Sequence, residues 1–346
     1  MDEFAASTYE NHRRNGQWGI TVLTDANTQL SNGLQDFIAR IHEQAGRVLV
    51  AQENVIELLM IALITGGHVL LEGVPGTAKT LTAKTLAHLI NAEYGRIQFT
   101  PDLMPSDVVG TSVYDIQSSS FNLKRGPIFT QILLADEINR APAKTQAALL
   151  EAMEEKQVTI EGDTQPLPQP FMVLATQNPV EMDGTYPLPE AQLDRFLFKI
   201  KIDYLAHSDE VEVLRRYHHG FDAHNLDAAG LQRIIQPQHL TRIREIVQAV
   251  QIEEGVLEYI SLITQATRNN KDLSLGASTR ASVALLLASK TRAAMYGRDY
   301  VSPDDIKEMV PPTLRHRVNL RPEAEIEGLD SDTVFARLLN QIEVPR

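Results

Sequence analysis

Residues 68–80 read His-Val-Leu-Leu-Glu-Gly-Val-Pro-Gly-Thr-Ala-Lys-Thr, an apolar strand running into a turn rich in glycine and proline and then into a helix that opens on Lys-Thr. No other feature constrains the chain as much. Inward-pointing backbone N–H groups of such a turn, together with the positive end of a helix, form a cradle for anions. Gly73, Val74, Pro75, Gly76, Thr77, Ala78 and Leu81 are therefore expected to wrap phosphate oxygens. Lys79 would reach the β- and γ-phosphates of a nucleoside triphosphate, and the Thr80 hydroxyl would ligate Mg²⁺. Glycine usually precedes this lysine; here it is Ala78, which in the first turn of a helix is expected to cost little.

The pattern around the loop alternates buried strands with helices. Short apolar runs at His68–Leu71, Arg96–Phe99, Ile132–Ala135, Phe171–Ala175 and Phe198–Ile202 are separated by helical segments starting near Lys79 and near Pro142. Such alternation predicts an α/β domain built on a doubly wound parallel sheet. Two amphipathic helices, carrying Leu34, Phe37, Ile38 and Ile41 and then Val55, Leu58, Leu59, Ala62 and Leu63, lead into it. Beyond Leu205 the strands stop and helical periodicity takes over, clearest over Thr279–Tyr296. Ser302-Pro-Asp-Asp305 has the composition of a capped helix start. The expected division is a flexible arm over residues 1–30, an α/β nucleotide-binding domain over 31–205 and a small all-helical lid over 206–346. Two hairpins interrupt the α/β part: Val158–Leu167 around a Gly-Asp turn, and Thr111–Tyr114 pairing with Phe121–Leu123. On pattern alone either is an ordinary surface hairpin or a functional insert.

Three further sites acquire meaning from the loop. Ile132-Leu-Leu-Ala-Asp-Glu137 is an apolar strand ending in two carboxylates. Asp136 there would hold Mg²⁺ and Glu137 would take the proton of an attacking water. Phe171–Asn178 ends a strand on an amide that either positions the water beside the γ-phosphate or is a plain turn asparagine before Pro179. Leu193-Asp-Arg-Phe196 presents Arg195, and guanidinium groups stabilise the charge of a transferring phosphoryl group, often from a neighbouring subunit. Nucleoside-triphosphate hydrolysis is the chemistry these residues share.

Composition limits the alternatives. With 346 residues, 43% hydrophobic and 22% charged, the chain can bury a large core, which excludes disorder. The richest apolar run, Val55–Leu71, is broken by Glu57, Gly66, Gly67 and His68, so no membrane-inserted helix is expected. The first residues carry no apolar segment behind a basic start, and the cytoplasm is the expected location. The absence of cysteine excludes disulfides, thiolate metal sites and cysteine nucleophiles. Asp plus Glu at 45 against Lys plus Arg at 32 gives a net charge of −13, a poor surface for coating nucleic acid. His218, His219 and His316 lack ligand spacing and are expected to be ordinary histidines, leaving nucleotide-borne Mg²⁺ as the expected metal.

The ordered set GGHVLLEGVPGTAKT, LLADEINRAPAKTQAALLEAMEE, ATQNPVE, LPEAQLDRF and GASTRAS resembles the AAA+ ATPases and, within them, the MoxR family. The resemblance covers the chain from about Asn32 onward. It implies that Lys79 and Thr80 are the Walker A pair and Asp136 and Glu137 the Walker B pair. Asn178 corresponds to sensor 1, Arg195 to the arginine finger and Arg280 to sensor 2; the stretch Val48–Val55 is similar to one that contacts adenine. Arg280, in the first turn of its helix, would otherwise read as a surface arginine, and Arg140 is a second candidate for an intersubunit contact. Whether these arginines act within a subunit or across subunits is left open by the sequence. The family further implies ATP/ADP as ligands, a homo-hexameric ring, a partner with a von Willebrand factor A domain, and chaperone-like work on protein clients. Val113, Tyr114 and Phe121 are candidate client-contacting residues. Alternatives from other classes are a nucleotide-gated scaffold with negligible turnover, a nucleic-acid motor and a magnesium-chelatase-like ATPase subunit.

Overall fold

The computed structural model describes residues 27–117, 119–178 and 185–345. Nearly all of the arm expected over residues 1–30 therefore lies outside the described residues. Helices α1 (Asn27–Gly46) and α2 (Glu53–Thr65) lead into β1 (Val69–Glu72), α3 (Lys79–Leu89) and β2 (Tyr94–Gln98). A short α4 (Pro105–Val109) precedes the hairpin β3 (Gly110–Asp115) and β4 (Ser120–Arg125). Next come β5 (Ile132–Asp136), α5 (Ala143–Glu155), the hairpin β6 (Gln157–Ile160) and β7 (Asp163–Pro166), β8 (Met172–Gln177), α6 (Glu190–Leu193) and β9 (Phe198–Lys201). Strands β2, β5, β8, β1 and β9 form, in that order, one parallel sheet. These are the five segments that the apolar runs mark, with ends displaced by one or two residues.

The three central strands β5, β8 and β1 are buried on both faces because they are apolar at nearly every position, whereas the edge strands β2 and β9 carry Arg96, Gln98, Lys199 and Lys201. Successive side chains point to opposite faces. Val69 and Leu71 of β1, Ile132 and Leu134 of β5, and Met172 and Leu174 of β8 enter one core, shared with α1, α2, α3 and the C-terminal helices. Leu70, Leu133, Ala135, Val173 and Ala175 enter a second core beneath α5. Both hairpins form. In the β6–β7 hairpin the turn residues are Glu161 and Gly162, with φ of 51° and 92°, one position earlier than the Gly-Asp pair read from sequence. A two-residue turn with positive φ at both positions matches the twist of its flanking strands.

Past β9 the chain continues through α7 (His207–His218), α8 (His239–Ala249), α9 (Glu254–Arg268), α10 (Thr279–Met295), α11 (Pro303–Leu314), α12 (Pro322–Ile326) and α13 (Ser331–Gln341). The lid is helical as expected, with one addition. Strands β10 (Leu273–Leu275) and β11 (Asn319–Leu320) form a small antiparallel sheet, too short to leave a periodicity in the sequence. The capped start of α11 is present: the Ser302 N–H donates to Asp305 at 2.9 Å and Ser302 Oγ accepts from the Asp305 N–H. Asp305 is fully buried and pairs with Arg292 and Arg298, while Arg292 also approaches Glu57 of α2 at 3.7 Å. Helix α10 packs along α1 and α2, and α11 packs against β9.

His68, just ahead of β1, ties the two layers of the second core together. Its Nδ1 accepts from the Val173 N–H at 2.9 Å and its Nε2–H donates to the Met153 carbonyl at 3.0 Å. Burial disfavours the charged ring and pushes its pKa from 6.5 down to about 4. The folded state therefore binds this proton less readily than the unfolded chain. The resulting stability is complete above the unfolded value and is lost as the pH falls from about 6.5 towards 4, a loss on the order of 3 kcal/mol. Urea titrations at about pH 7 and about pH 4.5 should therefore show a smaller acid loss in His68→Gln than in the wild type. Equal losses would remove His68 as a source of acid sensitivity.

Candidate functional site

The loop after β1 is shaped by two glycines. A Cβ at Gly73 would sit 2.4 Å from the Ile202 carbonyl oxygen, so only glycine permits the ends of β1 and β9 to approach. Gly76 has φ +85°, where side chains are disfavoured. Ala78, the residue before the lysine, also lies in the left-handed region, at φ 60° and ψ 18°. The expectation that alanine costs little here is thereby corrected: the conformation is one that favours glycine, and a Cβ in it costs roughly 1–2 kcal/mol. Gln52 braces the loop from below, donating to the Thr77 carbonyl at 3.3 Å and accepting from Thr82 Oγ1 at 2.7 Å. Lys79 Nζ turns into the loop and donates to the carbonyls of Gly73 and Val74, each at 2.7 Å. Partial burial lowers its pKa, and the charges of Asp136 and Glu137 oppose that shift.

The two carboxylates are held by a residue that sequence reasoning did not single out. Thr176 of β8 donates its hydroxyl to Asp136 Oδ1 at 2.6 Å and accepts the Glu137 N–H at 2.8 Å. Glu137 has φ 56° and ψ 50°, a strained backbone for a non-glycine residue, and this bond helps to hold it. Arg96 of β2 reaches Asp136 at 2.7 Å, and Arg140 reaches Glu137 at 2.9 Å. Thr176 is legible in hindsight as the first polar residue of an otherwise apolar strand.

Loop and carboxylates face one cavity of about 720 Å³, whose lining includes Pro75–Leu81, Asp136, Glu137, Thr176 and Asn178. Asn178 is buried. Gly73 and Val74, expected to wrap phosphate, are not part of that lining; their carbonyls accept from Lys79, which is. Val48, Leu49, Val50 and Gln52, from the stretch resembling an adenine contact, form another wall. Tyr204, Leu214 and Tyr217, which are 73%, 69% and 53% exposed, also line the cavity. Apolar and aromatic faces left open beside an anion cradle suit a planar base joined to phosphates. The donor set also suits Mg²⁺. One hydroxyl, Thr80, and one carboxylate, Asp136, are hard oxygen ligands of the kind that hold this ion together with phosphate oxygens. Among the described residues no cluster of three or more His, Asp or Glu is arranged to hold a metal without a ligand's help, and no helix is long and apolar enough to cross a membrane.

Arg195 and Arg280 do not line this cavity. Arg195 donates to the Leu150 carbonyl at 2.7 Å and pairs with Glu154 at 2.9 Å, at the far end of α5. At 1.5 Å per residue, Glu154 lies about 17 Å along that helix from its first residue. Arg280 stands beside Arg195, 3.7 Å from Glu154 and 3.7 Å from Asp194. The two guanidinium groups thus converge on a face of their own.

Residues 68–198 match the family described as "ATPase family associated with various cellular activities (AAA)", and residues 265–338 match the AAA lid domain. The uncharacterized protein YeaC of Bacillus subtilis is 45% identical over 312 residues, 90% of this chain and 96% of that protein. Chaperone MoxR1 of Mycobacterium tuberculosis is 40% identical over 329 residues, 91% of this chain and 85% of that one. A crystal structure of a candidate ATPase from Cytophaga hutchinsonii superposes with a TM-score of 0.83 at 44% identity, covering 92% of this chain and 98% of the other. A parallel sheet with an anion-binding loop and paired carboxylates at its strand ends, a helical lid and full-length likeness to these proteins have one reading: the chain belongs to the MoxR family of AAA+ ATPases.

Proposed function

We propose that the protein is an Mg²⁺-dependent ATP hydrolase that works as a ring, each subunit completing the site of the next, and that it uses the cycle to remodel or mature protein complexes. The observation that carries this reading is the convergence of Lys79, Thr80, Asp136, Glu137 and Asn178 on a single cavity. Lys79 and the N-terminus of α3 bind the phosphates, Glu137 accepts the proton of the attacking water, and the Asn178 amide orients that water. Thr80 and Asp136 would hold Mg²⁺, which would offset phosphate charge that Lys79 alone cannot balance beside two carboxylates. The separation of Arg195 and Arg280 from this cavity supports their acting on a neighbour's γ-phosphate, which requires a closed ring, in this reading a hexamer. Tyr114 and Phe121, ring centroids 5.2 Å apart on the exposed β3–β4 hairpin, offer an aromatic grip for a client. A partner with a von Willebrand factor A domain and a cytoplasmic setting complete the reading. A second reading, a nucleotide-gated scaffold of negligible turnover, draws on the Arg140–Glu137 pair, which occupies the base.

Lys79→Ala should abolish ATP binding in a calorimetric titration. Glu137→Gln should bind ATP normally yet lose about 10²- to 10⁴-fold in steady-state turnover; wild-type turnover already as low as the variant's would favour the scaffold. Arg195→Ala should bind ATP and lose turnover, and mixing it with Glu137→Gln should restore hydrolysis, because each wild-type Glu137 then meets a neighbour's intact Arg195. No recovery at any mixing ratio would count against action across subunits.

A further inference from the structure

The segment that carries Arg195 belongs to the α/β part by sequence, yet its backbone is gripped by the lid. Arg317, just beyond α11, has a side chain 3% exposed. Its Nε donates to Asp194 Oδ1 at 2.6 Å, and Nη2 donates to the carbonyls of Asp194 and Phe196 at 3.2 and 2.7 Å. Nη1 donates to the Leu197 carbonyl at 2.9 Å and to the Thr313 carbonyl within the lid. All five guanidinium N–H groups are thereby used. His316 adds a bond from Nε2 to the Phe196 carbonyl at 2.8 Å, and Asn319 one to Glu190 at 3.1 Å. From the other side of the lid, Ser278 ahead of α10 donates to Asp194 Oδ2 at 3.2 Å, and Arg280 lies 3.7 Å from the same oxygen.

We propose that Arg317 is the positioning residue for Arg195: by fastening residues 194–197 to the lid it makes Arg195 and Arg280 one two-guanidinium unit that the lid delivers to a neighbouring subunit's γ-phosphate. The proposal rests on the reading of Arg195 as acting across subunits. A buried guanidinium whose charge is met by one carboxylate and four carbonyls is costly to desolvate and holds its acceptors in one fixed arrangement. Here that geometry spans Asp194, Phe196 and Leu197, the residues on either side of Arg195. Lysine carries the charge but has three donors and no plane, so it cannot bridge the same acceptors.

The test uses the full chain as Arg317→Lys and Asp194→Asn, with steady-state ATP hydrolysis measured alone and after mixing with Glu137→Gln, beside Arg195→Ala as reference. Misplacing a charge-stabilising group by an ångström or so lowers turnover by about 10²-fold, so kcat should fall by that order while KM for ATP, set in the untouched cavity, moves less than about threefold. Mixing with Glu137→Gln should restore turnover, because that neighbour supplies a correctly held Arg195. If Arg317→Lys does not fold, Asp194→Asn carries the same comparison. Unchanged kcat in the folded variants would overturn the proposal, as would a KM that rises along with the loss. So would failure of the mixed rings to recover where Arg195→Ala does recover. Loss of recovery in Arg195→Ala itself would instead remove the reading beneath it, and the proposal with it.

Discussion

The parallel register of β1, β5 and β8 is the constraint on which the rest of this molecule depends. Val69 lies opposite Leu174, and Leu174 opposite Leu134, so the three strands end level. The loop after β1, Asp136 with Glu137, and Thr176 with Asn178 consequently emerge side by side. Slippage by one residue would swap the side chains entering the two cores, sending Leu70 and Val173 where Val69 and Leu174 belong. Because both cores are packed, register is fixed from both faces, and the positions of the site residues follow from apolar packing rather than from attraction among the polar groups themselves.

That distinction matters because the polar groups do not form a stable arrangement by charge alone. Asp136 and Glu137 are consecutive, Glu137 is strained, and Lys79 is partly desolvated. Each is answered locally: Thr176 bridges the two carboxylate-bearing residues, while Arg96 and Arg140 each take one carboxylate. Both arginines are about half exposed, so these pairs are screened and weak. A multiply charged anion in the cavity would compete with such contacts, whereas the Thr176 bond, between strands of a packed sheet, is independent of it. The site thus combines a fixed frame with exchangeable counter-charges.

The sheet was legible because its central strands are apolar throughout and are punctuated by Gly, Pro and helical segments; the loop and carboxylates were legible because their chemistry needs particular residue types at strand ends. What escaped reading has a physical reason in each case. The conformation at Ala78 is set by closure of the loop, not by its own preference. Strands β10 and β11 hold three and two residues, below any period. Thr176 looked like the continuation of a strand, since its role lies in a hydroxyl reaching across to the neighbouring strand. Arg317 sits within Leu-Arg-His-Arg, where nothing distinguishes a buried guanidinium from an exposed one until the acceptors, more than a hundred residues away in sequence, are known.

A connected route joins the cavity to the paired arginines through α1 and the lid helices. Helix α7 forms one cavity wall and is tied by Arg216 to the Gly46 carbonyl at the end of α1. Helix α1 packs against α10, whose first turn carries Arg280. Helix α10 joins α11 through the buried Asp305, and α11 runs directly into His316 and Arg317. The steps are packed helix faces, a part-buried hydrogen bond at Arg216 and a buried polar contact at Asp305, and packed faces shift as units rather than deforming continuously. Because α7 is itself part of the lid, a change in the cavity that rotated it against the loop would be passed to α10 and α11 through these contacts. The exposed Glu154 contacts, to Arg195 and Arg280, are the weakest links on the far side, so the face bearing the two guanidinium groups is where such a rotation is most readily expressed.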